Sequence, residues 1–511
     1  MTEADADLWD ANQPLFERKW SGGELVELMI PIQNHDKVPM YEQIYVFLKD
    51  EIRRGNLREA VRLPSTRVLA QHLKVSRSTT QMAYDQLLSE GYIQSVPYKG
   101  YFVADIEGMM QTQTELERCA RKSDQVSGRL KPEDAFTSQT SGEKGASLAG
   151  DIIDFSPRGI DLDHFPYNTW RKITKHTLGE DNRSLFLSGH AQGEPLLREA
   201  VRDYLHSARG VICRSSQIIV GAGSEYMWML LCQLLGNDQK IAMETPTYKQ
   251  AYRVFESLGH QVMPVAMDSF GMSVEKLEKS GAEIAYVMPS HQYPMGIVMP
   301  VKRRQELLDW AAQKEGRYLI EDDYDSEFRY KGKPVPALQG MDQRGKVIYF
   351  GTFSKSVAPA IRISYMVLPE SLMEIYQKKA GFYASTVSRI DQNILYRFLV
   401  EGHYERHLNR MRAVYKAKHD CLMAALKQLE PAFEIRGEYA GLHVLLTSRQ
   451  EKTEEWLVTQ ALQAGVKVYG LSSCILEPEQ AEGPGTVLLG YANLSEEEIV
   501  TGVGLLLQTW I

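Results

Sequence analysis

The sequence predicts a multidomain chain, in which a small helical module is followed by a larger α/β domain with a mostly parallel sheet. Its 511 residues exceed what a single hydrophobic core usually supports. A dense pattern of short helices precedes a stretch that is rich in Ser, Thr, Gln and Gly. Beyond that stretch, apolar strand-like runs alternate with amphipathic helices, which is typical of parallel sheets.

The predicted boundaries follow these changes in composition. Residues 1–36 are acidic and weakly patterned, and we assign them to an N-terminal extension. Residues 37–107 form the helical module, residues 108–150 a linker and residues 151–511 the α/β domain.

Composition limits the classes of function. The formal net charge of −8 argues against a chain coated with nucleic acid, but it allows one local basic face. Residues 37–107 hold ten Lys or Arg against eight Asp or Glu, so this module is mildly electropositive. The five cysteines form no CxxC pair, and neither a signal peptide nor a membrane-spanning run is evident. We therefore expect a cytoplasmic protein without a membrane partner or a metal site.

The helical module has the pattern of a helix, a tight turn and a second helix. Ser65 is a natural N-cap for TRVLAQHL, and Ser76 can cap RSTTQMAYDQLLSEG after a short turn. The run YIQSVPYKGYFVAD predicts a small hairpin with Lys99 and Gly100 at its tip. This is the form of a helix-turn-helix, although other small helical bundles also have polar helix starts.

Two segments of this module resemble the winged helix-turn-helix of GntR-type regulators: LPSTRVLAQHLKVSRSTTQMAYDQLLSEGYI and KGYFV. The resemblance implies that this module binds a double-stranded DNA operator. Side chains at the start of the third helix would reach base edges, and Arg67 and Lys99 would meet phosphates. The residues predicted to bind DNA are Ser65, Arg67, Ser76, Arg77, Ser78, Thr79, Thr80, Lys99 and Gly100.

The α/β domain contains four short segments that together indicate a ligand site. In GTFSKSVAPAIRISYMV, Lys355 follows an apolar strand and Arg362 comes seven residues later. In YLIEDDYDSEF, Asp322 and Tyr324 lie at the end of a strand, where open α/β sheets bind ligands. IIVGAGSEYMWMLL carries a small-residue turn before a helix, and METPTYKQAY carries Tyr248 after a proline turn. Taken singly, each segment also fits a surface loop, a helix cap or a packed tyrosine.

In this chain order the four segments resemble the fold-type I pyridoxal 5'-phosphate enzymes of the aspartate aminotransferase class. The resemblance covers about residues 151–511 and implies a small C-terminal α+β subdomain. It implies that Lys355 forms the aldimine, that Asp322 pairs with the pyridine nitrogen, and that Tyr324 bonds the phenolic oxygen. Tyr248 would stack on the ring, and the phosphate would be held by Ala222, Gly223, Ser224, Ser354 and Arg362.

The whole chain resembles the MocR/GabR subfamily of GntR-type regulators, through EDDYDSEF, GTFSK and IRISY. In the member of this subfamily that responds to γ-aminobutyrate, two arginines hold the effector carboxylate. Gln250 and Ser473 stand at the matching positions here, so we assign these two residues to the effector site and expect an effector other than γ-aminobutyrate. Lys249 and Arg436 are alternative anion partners. His291 and Gln292 stand where simpler aminotransferases carry an Asn, which leaves the role of Gln292 open.

Three functions remain open at this stage. The favoured one is a homodimeric transcription regulator that senses a small amino-bearing effector by aldimine exchange at Lys355, without physiological turnover. In the second, pyridoxal phosphate itself is the signal. In the third, the chain is an active aminotransferase with an accessory DNA-binding head.

Overall fold

The computed structural model describes residue 30 and residues 38–58, 60–96, 100–104, 152–329, 335–437, 441–477 and 483–511. Apart from residue 30, the predicted extension 1–36 lies outside these ranges, and so do the predicted linker 108–150 and Lys99. The contacts within the chain divide it into two compact units, and each is described by itself. No helix among the described residues is both long and apolar enough to cross a membrane.

The N-terminal unit is a winged helix-turn-helix. Its elements are α1 (Met40–Arg53), α2 (Thr66–Leu73), α3 (Arg77–Glu90), β1 (Ile93–Val96) and β2 (Gly100–Val103). The strands pair antiparallel with Ile93 opposite Val103, and Arg62 adds one bridge to Phe102. Ile44, Leu48 and Ile52 recur at helical spacing on α1 and are all buried, because they face the centre of this unit.

The turn between α2 and α3 follows from local chemistry. The Ser65 hydroxyl accepts a hydrogen bond from the Val68 N–H (3.3 Å), which caps α2 as predicted. Lys74 ends α2 in the left-handed conformation, with a φ of 53°. Ser76 then accepts the Thr79 N–H (3.1 Å) at the start of α3. The predicted caps therefore lie at the two helix starts.

The C-terminal unit begins with β3 and alternates strands and helices. Its first half contains β3 (Ile153–Asp154), α4 (Tyr167–Thr177), α5 (Pro195–Arg209), β4 (Ile218–Gly221), α6 (Ser224–Leu235), β5 (Lys240–Thr245), α7 (Lys249–Ser257), β6 (Gln261–Asp268), β7 (Gly271–Met272), α8 (Val274–Ser280), β8 (Ile284–Val287), α9 (Val301–Ala312) and β9 (Tyr318–Asp323). Its second half contains β10 (Val347–Thr352), β11 (Ser364–Val367), α10 (Glu370–Lys379), α11 (Arg389–Val400), α12 (His403–Leu426), β12 (Phe433–Arg436), β13 (His443–Ser448), α13 (Glu454–Gln463), β14 (Val466–Lys467), β15 (Tyr469–Gly470), β16 (Thr486–Gly490) and α14 (Glu496–Trp510).

Eight of the described strands form one large sheet in the order β4-β11-β10-β9-β8-β5-β6-β7. Neighbours from β10 through β6 run parallel, whereas β11 and β7 are antiparallel to their neighbours. Within this sheet, β4, β8 and β11 are buried along their whole length, as expected of strands that are covered on both faces. The mostly parallel sheet is therefore confirmed, with one antiparallel strand inserted between β4 and β10.

The small C-terminal subdomain is built on an antiparallel sheet of order β12-β13-β16-β15. Helices α12 and α14 pack on it, and their core includes Leu422, Leu446, Leu489 and Trp510. β14 leaves this subdomain to pair in parallel with β3, so that Val466 lies opposite Ile153. The first described strand of the C-terminal unit is thus held by a strand from near its end.

Candidate functional site

The C-terminal ends of the parallel strands carry the predicted site residues. Asp322 is the penultimate residue of β9, and Lys355 follows β10 after two intervening residues. Because β9 and β10 are adjacent and parallel, with Phe350 opposite Asp322, both side chains are delivered to the same edge of the sheet.

Lys355 lies half-buried in this edge of the sheet. Its Nζ donates a hydrogen bond to the Pro157 carbonyl oxygen (3.2 Å). Burial lowers the pKa of Lys355 to about 8, and the positive charge of Arg158 adds to this effect, while Asp325 opposes it. About a tenth of this amine is therefore neutral at pH 7, far more than for an ordinary lysine, and the neutral amine is the nucleophile.

Asp322 has a hydroxyl partner that the sequence did not indicate. The buried Tyr286 on β8 donates its hydroxyl hydrogen to Asp322 Oδ2. Burial raises the pKa of Asp322 to about 7, and the bond from Tyr286 partly offsets that rise. A cationic nitrogen placed against this carboxylate would favour its ionised form.

The next residue, Asp323, serves a different purpose on the opposite side of β9. It pairs with Arg209 (2.7 Å), and both side chains are only 2% exposed. Tyr349 also donates to Asp323, and Arg209 donates to Ser290 Oγ (2.6 Å). This buried network fixes the end of β9 and thereby orients Asp322.

Tyrosines and histidines surround the space beside Asp322. The Tyr324 hydroxyl lies 3.0 Å from Nδ1 of His291, which also lies 3.0 Å from the Asp325 carboxylate. Tyr293 meets the rings of Tyr248 and Tyr324 edge-on, with centroids 5.9 and 6.1 Å away. These rings provide flat apolar walls together with a few polar groups, which suits an aromatic ligand.

His291 and Gln292 differ in what they do. Gln292 is 1% exposed, donates to the Pro246 carbonyl oxygen (2.9 Å) and accepts the Met295 N–H (3.0 Å). These backbone bonds make Gln292 a clamp between two loops. His291 instead reaches Tyr324, so of the two residues His291 is the one that faces the site.

Hydroxyl groups and one arginine meet at the predicted phosphate position. Ser364 donates to Thr352 Oγ1 (2.9 Å) and lies 3.5 Å from Ser224 Oγ, while the Ser354 N–H donates to the same Thr352 oxygen (3.1 Å). Arg362 lies beside Gly223, where an added Cβ would come within 2.2 Å of the guanidinium. Only a glycine leaves room for Arg362 at this turn.

Two groups at this position already have partners. Arg362 pairs with Glu225 (2.6 Å), and the Ala222 N–H donates to Thr386 Oγ1 (3.0 Å). The donor set is nevertheless the one that a phosphate prefers, because it combines a guanidinium, serine hydroxyls and the start of α6. With a lysine, a carboxylate and aromatic walls also present, the residues fit pyridoxal phosphate.

The pair of arginines that holds the effector carboxylate in the γ-aminobutyrate-responsive member, here called the carboxylate clamp, is replaced in this chain by Gln250 and Ser473, and the two segments that carry these residues meet. The Thr247 N–H donates to the Cys474 carbonyl oxygen (2.9 Å), which places the loop before α7 against residues 471–476. Gln250 lies half-buried on α7, whereas Ser473 is exposed and donates to the Gly470 carbonyl oxygen (2.7 Å).

The predicted DNA surface is largely exposed in the N-terminal unit. Arg67 and Arg77 are exposed, and so are Ser65, Ser76 and Ser78, while Thr79 and Gly100 are half-exposed. Thr80 does not belong to this surface, because it is 0% exposed and donates to the Thr66 carbonyl oxygen (2.8 Å). Its hydroxyl ties α3 to α2. Arg62 is exposed beside Gly100, and sequence reasoning had not singled it out.

Comparison with known proteins identifies a family for each of the two units. Residues 40–103 match the model of bacterial regulatory proteins of the gntR family, and residues 159–504 match that of aminotransferase class I and II. The chain is 38% identical to the HTH-type transcriptional regulator YhdI of Bacillus subtilis, covering 94% of this chain and 97% of YhdI. It is 31% identical to the probable rhizopine catabolism regulatory protein MocR of Rhizobium meliloti, covering 94% and 95%. The chain belongs to the MocR-type transcription regulators.

The aminotransferase-like domain of this MocR-type chain also matches solved enzymes. The kynurenine aminotransferase of Pyrococcus horikoshii is 25% identical, with a TM-score of 0.63 over 70% of this chain and 91% of the enzyme. The predicted fold class is thereby confirmed. The roles of the individual site residues remain predictions.

Sequence reasoning missed several residues of the candidate site. Tyr286 and Tyr293 lie in IAYVMPSHQYP, the segment already noted for its histidine, but a tyrosine in or near a buried strand gives no functional signal by itself. Arg158 follows a short strand in a segment without any recognised motif. Their importance depends on contacts between segments far apart in the chain.

Proposed function

We propose that the aminotransferase-like domain holds pyridoxal 5'-phosphate on Lys355 and senses a small amino-bearing effector, rather than turning it over. The observation that carries the proposal is the placement of Lys355 and Asp322 at the same end of the adjacent parallel strands β9 and β10, where burial also lowers the pKa of Lys355. When bound, the cofactor supplies an electrophilic carbon that amines attack.

Under this proposal, each residue of the candidate site has a defined role. Asp322, held by Tyr286, would pair with the pyridine nitrogen, and Tyr248 would cover one face of the ring. Ser224, Ser354 and Arg362 would bind the phosphate, with Arg362 exchanging Glu225 for the phosphate. Tyr324, adjoining His291 and Asp325, would hold the ring oxygen and control its proton.

The regulatory output requires two states of the chain with different affinities for DNA. An effector amine that takes the place of Lys355 changes contacts within the site, and it shifts the equilibrium only to the extent that it binds the two states unequally. We propose a cytoplasmic homodimer that presents two winged helix-turn-helix units to two operator half-sites.

Two variants test this function. Lys355→Ala abolishes the visible absorption of bound cofactor and the response of operator binding to amines, whereas Arg77→Ala lowers operator affinity and leaves the absorption intact. Retained cofactor absorption in Lys355→Ala would exclude this lysine as the attachment point. Sustained transamination of an amino-acid panel by the wild-type chain would favour an active aminotransferase instead.

A further inference from the structure

Arg158 is a cation at the candidate cofactor site with no acidic partner among the described residues. Its guanidinium carbon lies 5.7 Å from the centroid of the Tyr248 ring. The neighbouring Pro157 carbonyl oxygen accepts the hydrogen bond from Lys355 Nζ (3.2 Å). The segment that carries Arg158 therefore contacts both the proposed ring-stacking tyrosine and the proposed attachment lysine.

The charge of Arg158 acts on the same space. Burial is the main cause of the lowered pKa of Lys355, and the Arg158 charge lowers it further. Burial likewise raises the pKa of Cys474, and Arg158 is among the groups that oppose this rise. Cys474 adjoins Ser473, so the positive field of Arg158 extends from the lysine to the position where the γ-aminobutyrate-responsive member carries an arginine.

The other cations considered for anion binding already have partners. Lys249 Nζ donates to the Ile475 carbonyl oxygen (3.1 Å), and Arg436 pairs with Glu434 on the small sheet (2.7 Å). Arg362 pairs with Glu225 at the phosphate position. Within the described ranges, Arg158 is the member of these four cations whose side chain has no hydrogen-bond or ion-pair partner, and its guanidinium meets the Tyr248 ring.

We propose that Arg158 binds the anionic group of the effector, while the effector amine replaces Lys355. This inference rests on the proposed sensing function and narrows it to a substrate class: amino acids and related amino-carboxylates, as opposed to simple amines. A guanidinium binds a carboxylate through two parallel hydrogen bonds, and stacking on Tyr248 would hold its plane in place. Arg158 would thus replace the clamp that Gln250 and Ser473 cannot form.

The first test uses acetate as a carboxylate probe on the full-length chain loaded with pyridoxal phosphate. The pH midpoint of the visible absorption is measured with acetate or chloride at equal ionic strength. A neighbouring cation lowers the pKa of a protonated nitrogen. We therefore expect acetate to raise the midpoint in the wild type. In Arg158→Ala the midpoint is already raised and acetate adds nothing, whereas Arg158→Lys keeps part of the effect.

The second test compares amino acids with the matching amines that lack the carboxylate, such as glycine with methylamine and β-alanine with ethylamine. Arg158→Ala should weaken the spectral response to amino acids at least about tenfold and leave the response to the amines unchanged. Arg214→Ala is the matched control, because it removes an exposed arginine that pairs with Glu370 and is not assigned to the site, and it should behave as the wild type.

The outcomes separate the two ideas. Equal responses of the wild type and Arg158→Ala to acetate and amino acids would overturn the role of Arg158 and leave the sensing function standing. An acetate effect that depends on Arg158, without a response to any amine, would support the anion site and overturn amine sensing. Silence of the wild type towards both probes would overturn both.

Discussion

At the scale of single residues, burial raises the pKa of several acids in the aminotransferase-like domain. Glu244 on β5 accepts the Met272 N–H (3.1 Å), and burial raises its pKa from 4.5 to about 7. The folded chain thus favours the protonated acid. The stability that this preference provides is complete below pH 4.5 and is lost as the pH rises through 7.

Glu244→Gln tests this sign. The amide keeps an acceptor oxygen and cannot ionise, so we expect equal stability of the two chains at pH 5. At pH 8 the variant should be more stable by up to about 3 kcal/mol. Denaturant unfolding at the two pH values measures the difference. The exposed Glu275, paired with Lys279 (2.5 Å), supplies the control Glu275→Gln, for which no gain at pH 8 is expected. A lower stability of Glu244→Gln at pH 8 would contradict the assignment.

The hydroxyl of Tyr286 is predicted to matter for cofactor binding. Tyr286→Phe removes a hydrogen bond to the Asp322 carboxylate, which raises the pKa of this acid further and leaves less of it ionised at pH 7. We expect the affinity for pyridoxal phosphate to fall by about tenfold, since bonds to charged groups contribute about 1.5–3 kcal/mol. Absorption titration of the cofactor-free chain measures it. Tyr318→Phe, whose hydroxyl faces Ser371 (3.1 Å), should bind like the wild type.

At the scale of elements, the first residues of α3 have two different roles: some are predicted to contact DNA, and others pack α3 on α2. Thr80 is buried and bonds α2, whereas Arg77 is exposed. We expect Thr80→Val to lower the stability of the winged unit by about 1 kcal/mol, because a buried acceptor loses its donor. Arg77→Ala should lower operator affinity with little change in stability. Calorimetry and operator titration distinguish the two effects, and the reverse pattern would refute this division.

The wing is predicted to contribute phosphate contacts through Arg62, which lies beside Gly100. If Arg62 meets a phosphate, Arg62→Ala reduces the salt dependence of operator binding by about one unit of slope and weakens all sequences alike. Titrations on operator and random DNA at several salt concentrations measure this. Arg54→Ala, which removes an exposed arginine paired with Glu51 (3.8 Å), serves as the control.

Local sequence signals predicted the elements well where a cap or an alternation fixes the backbone. Ser65 caps α2 because its hydroxyl needs only a partner three residues away. Thr80 was assigned wrongly, because polar residues on the first turns of a helix look alike in sequence. Only the packing of α3 on α2 turns Thr80 inward and leaves Ser78 exposed.

At the scale of the whole molecule, the two units are predicted to respond separately to the cofactor. The chain divides into two compact units, and the proposed ligands of pyridoxal phosphate all lie in the second. In calorimetry we expect the cofactor to stabilise only the transition of the aminotransferase-like unit, by about 2.7 kcal/mol at a hundredfold excess over Kd. Lys355→Ala should lose most of this gain. An equal shift of both transitions would indicate that the units unfold together.

The order of the domains and the mostly parallel class of the large sheet could be predicted, because the motifs and their spacing are visible in the sequence alone. Lys355, Asp322 and Arg362 lie in such motifs. Arg158 and Tyr286 could not be predicted, since their meaning comes from Tyr248 and Asp322, which are distant in the chain. The sequence shows that Gln250 and Ser473 replace the two arginines of the γ-aminobutyrate-responsive member. It does not show that Arg158 could take over their role.

The pairing of β3 with β14 bears on how ligand binding at the site could change the conformation of the chain elsewhere. Pro157 and Arg158 follow β3 closely, and β3 follows the predicted linker. The stretch of backbone that meets Lys355 is therefore also the stretch to which the DNA-reading end is covalently tied. A ligand that repositions Arg158 would displace the segment that directly follows β3. A conformational change could then reach the predicted linker through the backbone, without passing through the large sheet.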